Sequence, residues 1–417
     1  MRMRLPETVR DILKKLEAEG FQAYAVGGCV RDSILGKEPD DWDLTTNARP
    51  EEVKALFPRT VDTGLQHGTV TVLLGGEGYE VTTYRIDGVY SDGRHPDSIC
   101  FTPSLEEDLR RRDFTINAMA VSERGELVDL FGGQEDLSRG CIRCVGDPRA
   151  RFHEDALRML RAVRFAAQLN FEIEMDSFAA LMDLAENLQW VSKERIFVEL
   201  SKLLLSDHPE KLELLYVAGL APEIAAHFPG LHLDSRARRL PRSKALRFAA
   251  AGEQVAPEAL SCLLCELKSD RATRDRAVLL LTALREPLPE SEVEVRKCLA
   301  TIGNDAFTEL LCLREAGYGS GEAPESEEKR AAQIAELRDL QQMISDRGDC
   351  LEIRGLSLGG ADLLSLGIPK GPALGSCLRA LLDAVLEEPE RNEKSYLSAY
   401  AEAWLEAQKK EDGGAVR

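Results

Sequence analysis

The sequence predicts an α+β protein, with a mixed-sheet domain at the N-terminus and an elongated all-α region after it. Three observations predict this. Short β-type runs alternate with helical segments over about the first 140 residues, an ordinary size for one domain. From His153 onward helical periodicity dominates, rich in Leu and Ala and poor in β-branched runs. A chain of 417 residues also exceeds what a single hydrophobic core organises, so several domains are expected.

The elements follow in order. Pro6 opens an amphipathic helix over 6–19, Gly20 stops it, and Val9, Ile12, Leu13 and Leu16 share its apolar face. A strand over Ala23–Val26 runs into Gly27-Gly28 and a short helix to Leu35. A second strand carries Asp41-Trp42-Asp43-Leu44, and Pro50 opens a helix to Phe57. Alternation at Thr69–Leu74 and Tyr79–Tyr84 marks two more strands. Later, the segment from Arg151 to Leu169 reads as one helix. Phe152, Ala156, Met159, Leu160, Val163 and Ala167 form its apolar stripe, with Glu154, Asp155, Arg158 and Arg161 opposite. Gly317–Glu328 reads as a linker or exposed loop, and the final helical segment ends in a polar tail expected to be disordered.

Composition narrows the class. With 44% hydrophobic and 30% charged residues the chain is of globular type, and no apolar run reaches the ~18 residues of a membrane span. Met1–Arg10 has no apolar core of a signal peptide, so the cytoplasm is the expected compartment. Ten scattered cysteines fit reduced thiols. Of the two C-x-x-C spacings, Cys141/Cys144 lies in strand-like sequence and Cys262/Cys265 in a leucine-rich run expected to be core, so neither suggests zinc. The net charge of −19 opposes polyanion binding, so any such surface must be a local basic patch. Five arginines against two acids over 149–164, and six basic residues without an acid over 236–247, are the candidates; a solvated helix face is their plain alternative.

The chemistry centres on Asp41 and Asp43. Two residues apart on a strand, their carboxylates project from one face and repel each other unless a cation intervenes. Oxygen ligands favour magnesium, and a pair of ions so held activates a hydroxyl and stabilises a phosphoryl transition state and departing pyrophosphate. Glu80 on a later strand offers a third carboxylate. Upstream, Gly27-Gly28 between strand and helix suits a triphosphate cradle of backbone N–H groups, with Arg31 directly after it.

These residues carry a resemblance. Ala25-Val26-Gly27-Gly28-Cys29-Val30-Arg31-Asp32 followed by Asp41-Trp42-Asp43 resembles the polymerase-β-type nucleotidyltransferase signature of class II CCA-adding enzymes and bacterial poly(A) polymerases. Arg111 to Ala120, Asp129-Leu130-Phe131-Gly132-Gly133 and Glu154 to Arg161 continue it in order. Gly367 to Pro372 and Asn392-Glu393-Lys394 resemble the tail of bacterial CCA-adding enzymes, of the type without an attached phosphohydrolase domain. The resemblance implies a polymerase-β-like catalytic head over 1–140, a nucleotide-recognising neck over 141–205, a helical body over 206–320 and a tRNA-anchoring tail over 321–417. It implies CTP and ATP as substrates, two Mg²⁺ ions, and tRNA gripped at its acceptor arm and elbow, with no DNA and no membrane as partner. Asp155, Arg158 and Arg161 match the family's protein template for the incoming base. Arg112 and Asp113 match residues contacting its sugar, with Asn117 supporting that pocket. Arg94, in the polar stretch 87–96, matches a flexible loop that switches C to A addition.

The template reading makes chemical sense. Cytosine and adenine both present an amino donor beside a ring acceptor, which a carboxylate and a guanidinium match; uracil and guanine present a carbonyl instead. A poly(A) polymerase or an A-adding enzyme shares these motifs, although the basic C-terminal extension common in the former is missing from this short mixed tail. A non-catalytic RNA-binding protein would gain nothing from clustered acids facing RNA.

Overall fold

The computed structural model describes residues 2–87, 99–319 and 327–414. Arg94 and nearly all of the stretch 87–96 lie outside the described residues, as does most of 317–328. The chain forms two compact units, one of residues 1–238 with 262–270, the other of 239–261 with 271–417.

The first unit opens with α1 (Glu7–Ala18), whose Val9, Ile12, Leu13 and Leu16 are fully buried, as their spacing requires. β1 (Ala23–Val26), α2 (Gly28–Ile34), β2 (Leu44–Thr46), α3 (Pro50–Leu56), β3 (Thr60–Gly64), β4 (Thr69–Leu74) and β5 (Glu77–Thr83) follow. β6 (Arg85–Asp87) and β7 (Ile99–Phe101) make a separate two-stranded ribbon before α4 (Leu105–Arg110), β8 (Met119–Val121) and β9 (Leu127–Asp129). The sheet order is β3-β4-β5-β2-β1-β8-β9, and the parallel β2–β5 pair makes it mixed. β1 is its axis: Ala25 pairs with Leu44 on one side and Val121 on the other, so whatever leaves the end of β1 is placed by both neighbours.

Two expectations need correction here. The second strand begins at Leu44, so Asp41 and Asp43 precede it, although Val26 N–H donates to the Asp43 carbonyl at 2.9 Å and carries the pairing one residue further. The segment 151–169 is two helices, α6 (Pro148–Glu154) and α7 (Leu157–Leu169), after α5 (Gly133–Arg139) and β10 (Cys141–Ile142). Asp155 breaks them with an extended backbone (φ −144°), and its carboxylate accepts from Leu157 N–H at 3.1 Å, as a helix-starting residue does. The apolar stripe is buried across both helices regardless. A polar side chain at the junction thus overrides the helical spacing without disturbing the core.

β11 (Glu172–Ile173) pairs in parallel with β10. α8 (Met175–Asp183), α9 (Lys193–Leu204), α10 (Leu214–Val217) and α11 (Ala221–Ile224) complete the helical part of 1–238. The arginine run over 149–164 is neither a solvated face nor an open patch. Arg149 pairs with Asp183, Arg151 and Arg158 with Glu154, Arg161 with Asp113, and Arg164 with Glu199.

Next along the chain come α12 (Lys244–Ala251), α13 (Pro257–Glu266), α14 (Arg271–Ala283), α15 (Glu292–Ile302), α16 (Asn304–Ala316), α17 (Glu327–Arg347), α18 (Gly360–Ser365), α19 (Pro372–Glu387) and α20 (Lys394–Gly414). Val295, Phe307, Leu311, Ile334 and Ile344 form one apolar cluster, and Leu363, Cys377, Leu381, Val385 and Leu397 another. Two further expectations are corrected. On α13 the leucines Leu263 and Leu264 are buried, while Cys262 and Cys265 lie on the exposed face. The polar tail stays helical to Gly414. In the second basic run, Arg236 pairs with Asp234, Arg238 with Glu210 and Arg239 with Glu327, while Arg247 is buried and donates to the Leu240 carbonyl.

Candidate active site

Where β1 ends, in the first unit, the chain opens a cavity of about 450 Å³. It is lined by Gly27, Gly28, Arg31, Asp43, Arg112, Asp113, Asn117, Asp155, Arg158 and Arg161, so most of the residues singled out from sequence converge on one space. Arg111, Arg164 and Arg195 also line it, giving seven arginines against three aspartates. In a chain of net charge −19 this is a concentrated positive field, suited to a polyphosphate.

Gly27 makes the floor. Its φ of +86° is a conformation that side-chain-bearing residues rarely adopt, and a Cβ there would stand 3.1 Å from Arg112 Nη1. The turn delivers the chain into α2, whose start has no side-chain cap among the described residues, and helix-start N–H groups favour an anion. Arg31, one turn on, donates to Asp32 at 2.8 Å through Nε and Nη2, and to the Asn117 amide oxygen at 2.7 Å through Nη1. Arg112 donates to buried Asp108 at 3.4 Å, and its buried Nε has no hydrogen-bond partner among the described residues.

Asp43 is half-buried and Asp41 exposed. Burial pushes the Asp43 carboxyl up to about 6; Asp41 and Glu80 push the same way, against Arg112. Glu80, exposed on β5, immediately precedes Val81, which pairs with Leu44, so the carboxylate stands beside Asp43. Two acids crowding the half-buried Asp43 carboxylate make, with it, a donor set that fits a hard divalent cation. Among the described residues no three histidine, cysteine or acidic side chains converge tightly enough to enclose an ion alone. Magnesium sites that complete their coordination with substrate phosphates need no such enclosure.

The far wall is a connected ion-pair network. Asp113 accepts through Oδ1 from Phe114 N–H (2.8 Å) and Asn117 Nδ2 (3.1 Å), and through Oδ2 from Arg161 Nε (2.9 Å) and Nη2 (2.6 Å). Burial opposes its charge, but Arg161 and Asn117 hold its carboxyl well below the usual range. Arg161 also lies 3.8 Å from Glu199, which binds Arg164 at 2.5 Å. Three guanidiniums surround Phe165, that of Arg164 at 3.9 Å from its ring centre. The expected ribose residue Asp113 is therefore also the brace between the sheet domain and α7.

A family model described as the poly A polymerase head domain matches residues 23–143, and one described as a probable RNA and SrmB-binding site of polymerase A matches 170–232. A CCA-adding enzyme of Leuconostoc mesenteroides is 38% identical over 97% of this chain and 98% of its own. The chain belongs to the CCA-adding enzyme family. A solved structure of the Bacillus stearothermophilus CCA-adding enzyme in complex with CTP is 34% identical with a TM-score of 0.83, covering 97% of this chain and 98% of that one. Another, of a tRNA nucleotidyltransferase with a primer tRNA and an incoming ATP analogue, is 26% identical with a TM-score of 0.60, over 79% of this chain and 99% of that one.

The resemblance leads Asp155 and Arg158 to be expected as the pair facing the incoming base. They share the cavity but not a bond. Asp155 Oδ2 accepts from Arg195 Nη2 at 2.7 Å, whereas Arg158 donates to Glu154 (2.7 Å) and to the Arg151 and Arg111 carbonyls. Arg195, Glu199 and Phe165 are not singled out by the sequence, and Arg164 only as part of the 149–164 run. One signal was present: Glu199 falls on the apolar face of α9, between Ile196 and Leu203, where a charge has to be paired. Asp129, in the expected Asp-Leu-Phe-Gly-Gly motif, caps α5 through Gly133 and Gln134 N–H.

Proposed function

We propose that this CCA-adding enzyme completes the 3′ end of tRNA by adding C, C and A from CTP and ATP, with no nucleic-acid template and with release of pyrophosphate. The observation that carries the reading is the convergence of the glycine turn, Asp43 and the Asp155/Arg158 pair in one arginine-lined cavity. Its near full-length relative bears the CCA-adding name, which favours this product over poly(A).

The triphosphate lies over Gly27 and Gly28 at the start of α2, with Arg31 and Arg112 countering its charge. Asp41 and Asp43 would hold two Mg²⁺, and Glu80 adds to the negative charge beside them. When bound, the metal supplies charge neutralisation at the α-phosphate and lowers the pKa of the attacking 3′-hydroxyl. Arg112, Asp113 and Asn117 form the ribose side of the cavity. Asp155 accepts from the amino group of C or A and Arg158 donates to the ring acceptor, while Arg161 holds the helix that carries Arg158. Both Asp155 oxygens already accept one bond, and a carboxylate has room for more. Arg158 meets a base only by exchanging part of its present set. The helical C-terminal region grips the acceptor arm and elbow through phosphates and shape.

No described helix is long and apolar enough to cross a membrane, and the reading puts the enzyme with its tRNA in the cytoplasm. The test is a tRNA transcript lacking its last three nucleotides, offered CTP, ATP or both with Mg²⁺ and read at single-nucleotide resolution. Two additions with CTP and three with both are expected. Repeated adenylation, or one A added only to a CC end, would replace the reading with a poly(A) polymerase or an A-adding enzyme.

A further inference from the structure

A second cationic surface lies outside the nucleotide cavity. The segment Arg2–Leu5 is not a loose end: Met3 N–H donates to the Gly125 carbonyl at 2.8 Å, Arg2 bridges Glu126, and Leu5 is buried. Gly125 admits this approach because a Cβ there would stand 2.2 Å from the Met3 carbonyl oxygen. The pinned segment is the shared wall of two adjoining clefts of about 730 and 470 Å³. One adds Arg10 and Arg124; the other adds Lys37 and Trp42. Together they hold five cations against Glu7, Glu38 and Glu123.

Two things set this surface apart. Most arginines of the first unit's helical part are committed to carboxylates, yet Arg2, Arg4, Arg10 and Lys37 are exposed and make no side-chain hydrogen bond or ion pair among the described residues. Exposed cations left without carboxylates on an acidic protein remain available to an external anion. The second is Trp42, which stands between the two expected metal ligands in sequence. It lines the cationic cleft, whereas the next residue, Asp43, lines the nucleotide cavity, so adjacent side chains face the two spaces. A half-buried indole among unpaired cations is the combination that single-stranded RNA uses, phosphates on the cations and a base or ribose on the ring.

We propose that this cleft, built by Arg2, Arg4, Lys37 and Trp42, is an accessory RNA-backbone site. It binds a single-stranded segment of the substrate RNA outside the nucleotides being joined. The inference rests on the reading of tRNA as substrate. It gives the sheet domain its own hold on the RNA, through Trp42 beside the Asp43 that faces the nucleotide.

The test compares wild-type full-length enzyme with the R2E/R4E/K37E variant and the charge-keeping R2K/R4K/K37R variant. Affinity for tRNA lacking CCA is measured from 50 to 200 mM salt, beside KM for CTP. Loss of two to three phosphate contacts flattens the log–log salt slope by about 2 and weakens binding roughly tenfold at low salt. The expected result is that loss in the glutamate variant, recovery in the charge-keeping variant, and an unchanged KM for CTP. Unchanged tRNA affinity and slope in the glutamate variant overturns the proposal. So does an equal loss in both variants, and so does a rise in KM for CTP with tRNA affinity intact, which would make the cleft a free-nucleotide site. Failure of wild type to extend tRNA would instead count against the functional reading, and the binding comparison tests the cleft independently of it.

Discussion

Arg161 grips a single carboxylate oxygen of Asp113 with two N–H groups, at 2.9 and 2.6 Å, and thereby ties α7 to the loop that follows α4. Asp113 is 8% exposed. Breaking such a pair strands a charge, at a cost of about 3–5 kcal/mol. Asp113→Ala and Arg161→Ala are each expected to destabilise the protein by about that much in urea unfolding. The double variant should cost clearly less than the sum, because the two losses are one interaction. Additive losses would mean that the residues act separately.

The same pair sets an acid dependence. Against burial, Arg161 and Asn117 hold the Asp113 carboxyl below its ordinary range. A group depressed in the folded state contributes stability above its unfolded pKa of about 3.9, and that contribution is lost as pH falls through the folded value. Asp113→Asn is therefore expected to flatten the dependence of stability on pH below about pH 4. Chemical denaturation at a series of pH values measures it; an unchanged slope would contradict the assignment.

The carboxylates beside Asp43 make a prediction with two readouts. Asp43→Asn is expected to lower nucleotide addition by about 10³-fold or more, the scale of several kcal/mol of lost charge stabilisation. In EDTA the same variant should be at least as stable as wild type, since it removes a half-buried charge repelled by Asp41 and Glu80. A fall in its melting temperature without metal would show that Asp43 holds the fold rather than an ion.

Arg195 is expected to act through Asp155, which it holds at 2.7 Å. Arg195→Ala should raise KM for CTP by about tenfold, the scale of one charged hydrogen bond, with partial rescue by Arg195→Lys. Equal KM in all three proteins would leave the bond without a role in nucleotide binding.

Much of this was legible in the sequence because local chemistry and tertiary demand agree. The apolar face of α1, the Gly27 turn and the strand β1 that leads into it follow from spacing and from residues that admit few conformations. The break at Asp155 was not legible, since Arg151 to Leu169 keeps an unbroken helical stripe and the core it builds is intact across the junction. The partners of the arginines were hidden for another reason. Ion pairs such as Arg164–Glu199 and Arg195–Asp155 join residues 35 and 40 positions apart, and no period or spacing announces them.

In the proposed function protein side chains, with Asp155 foremost, choose the base. The most direct measurement is kcat/KM for CTP against UTP on a tRNA lacking CCA, for wild type and Asp155→Ala, with folding checked by circular dichroism. The preference for CTP is expected to fall by about tenfold to a hundredfold, the worth of one good base contact, while UTP is used no worse than before. A variant that slows for both nucleotides alike and keeps its preference would contradict it.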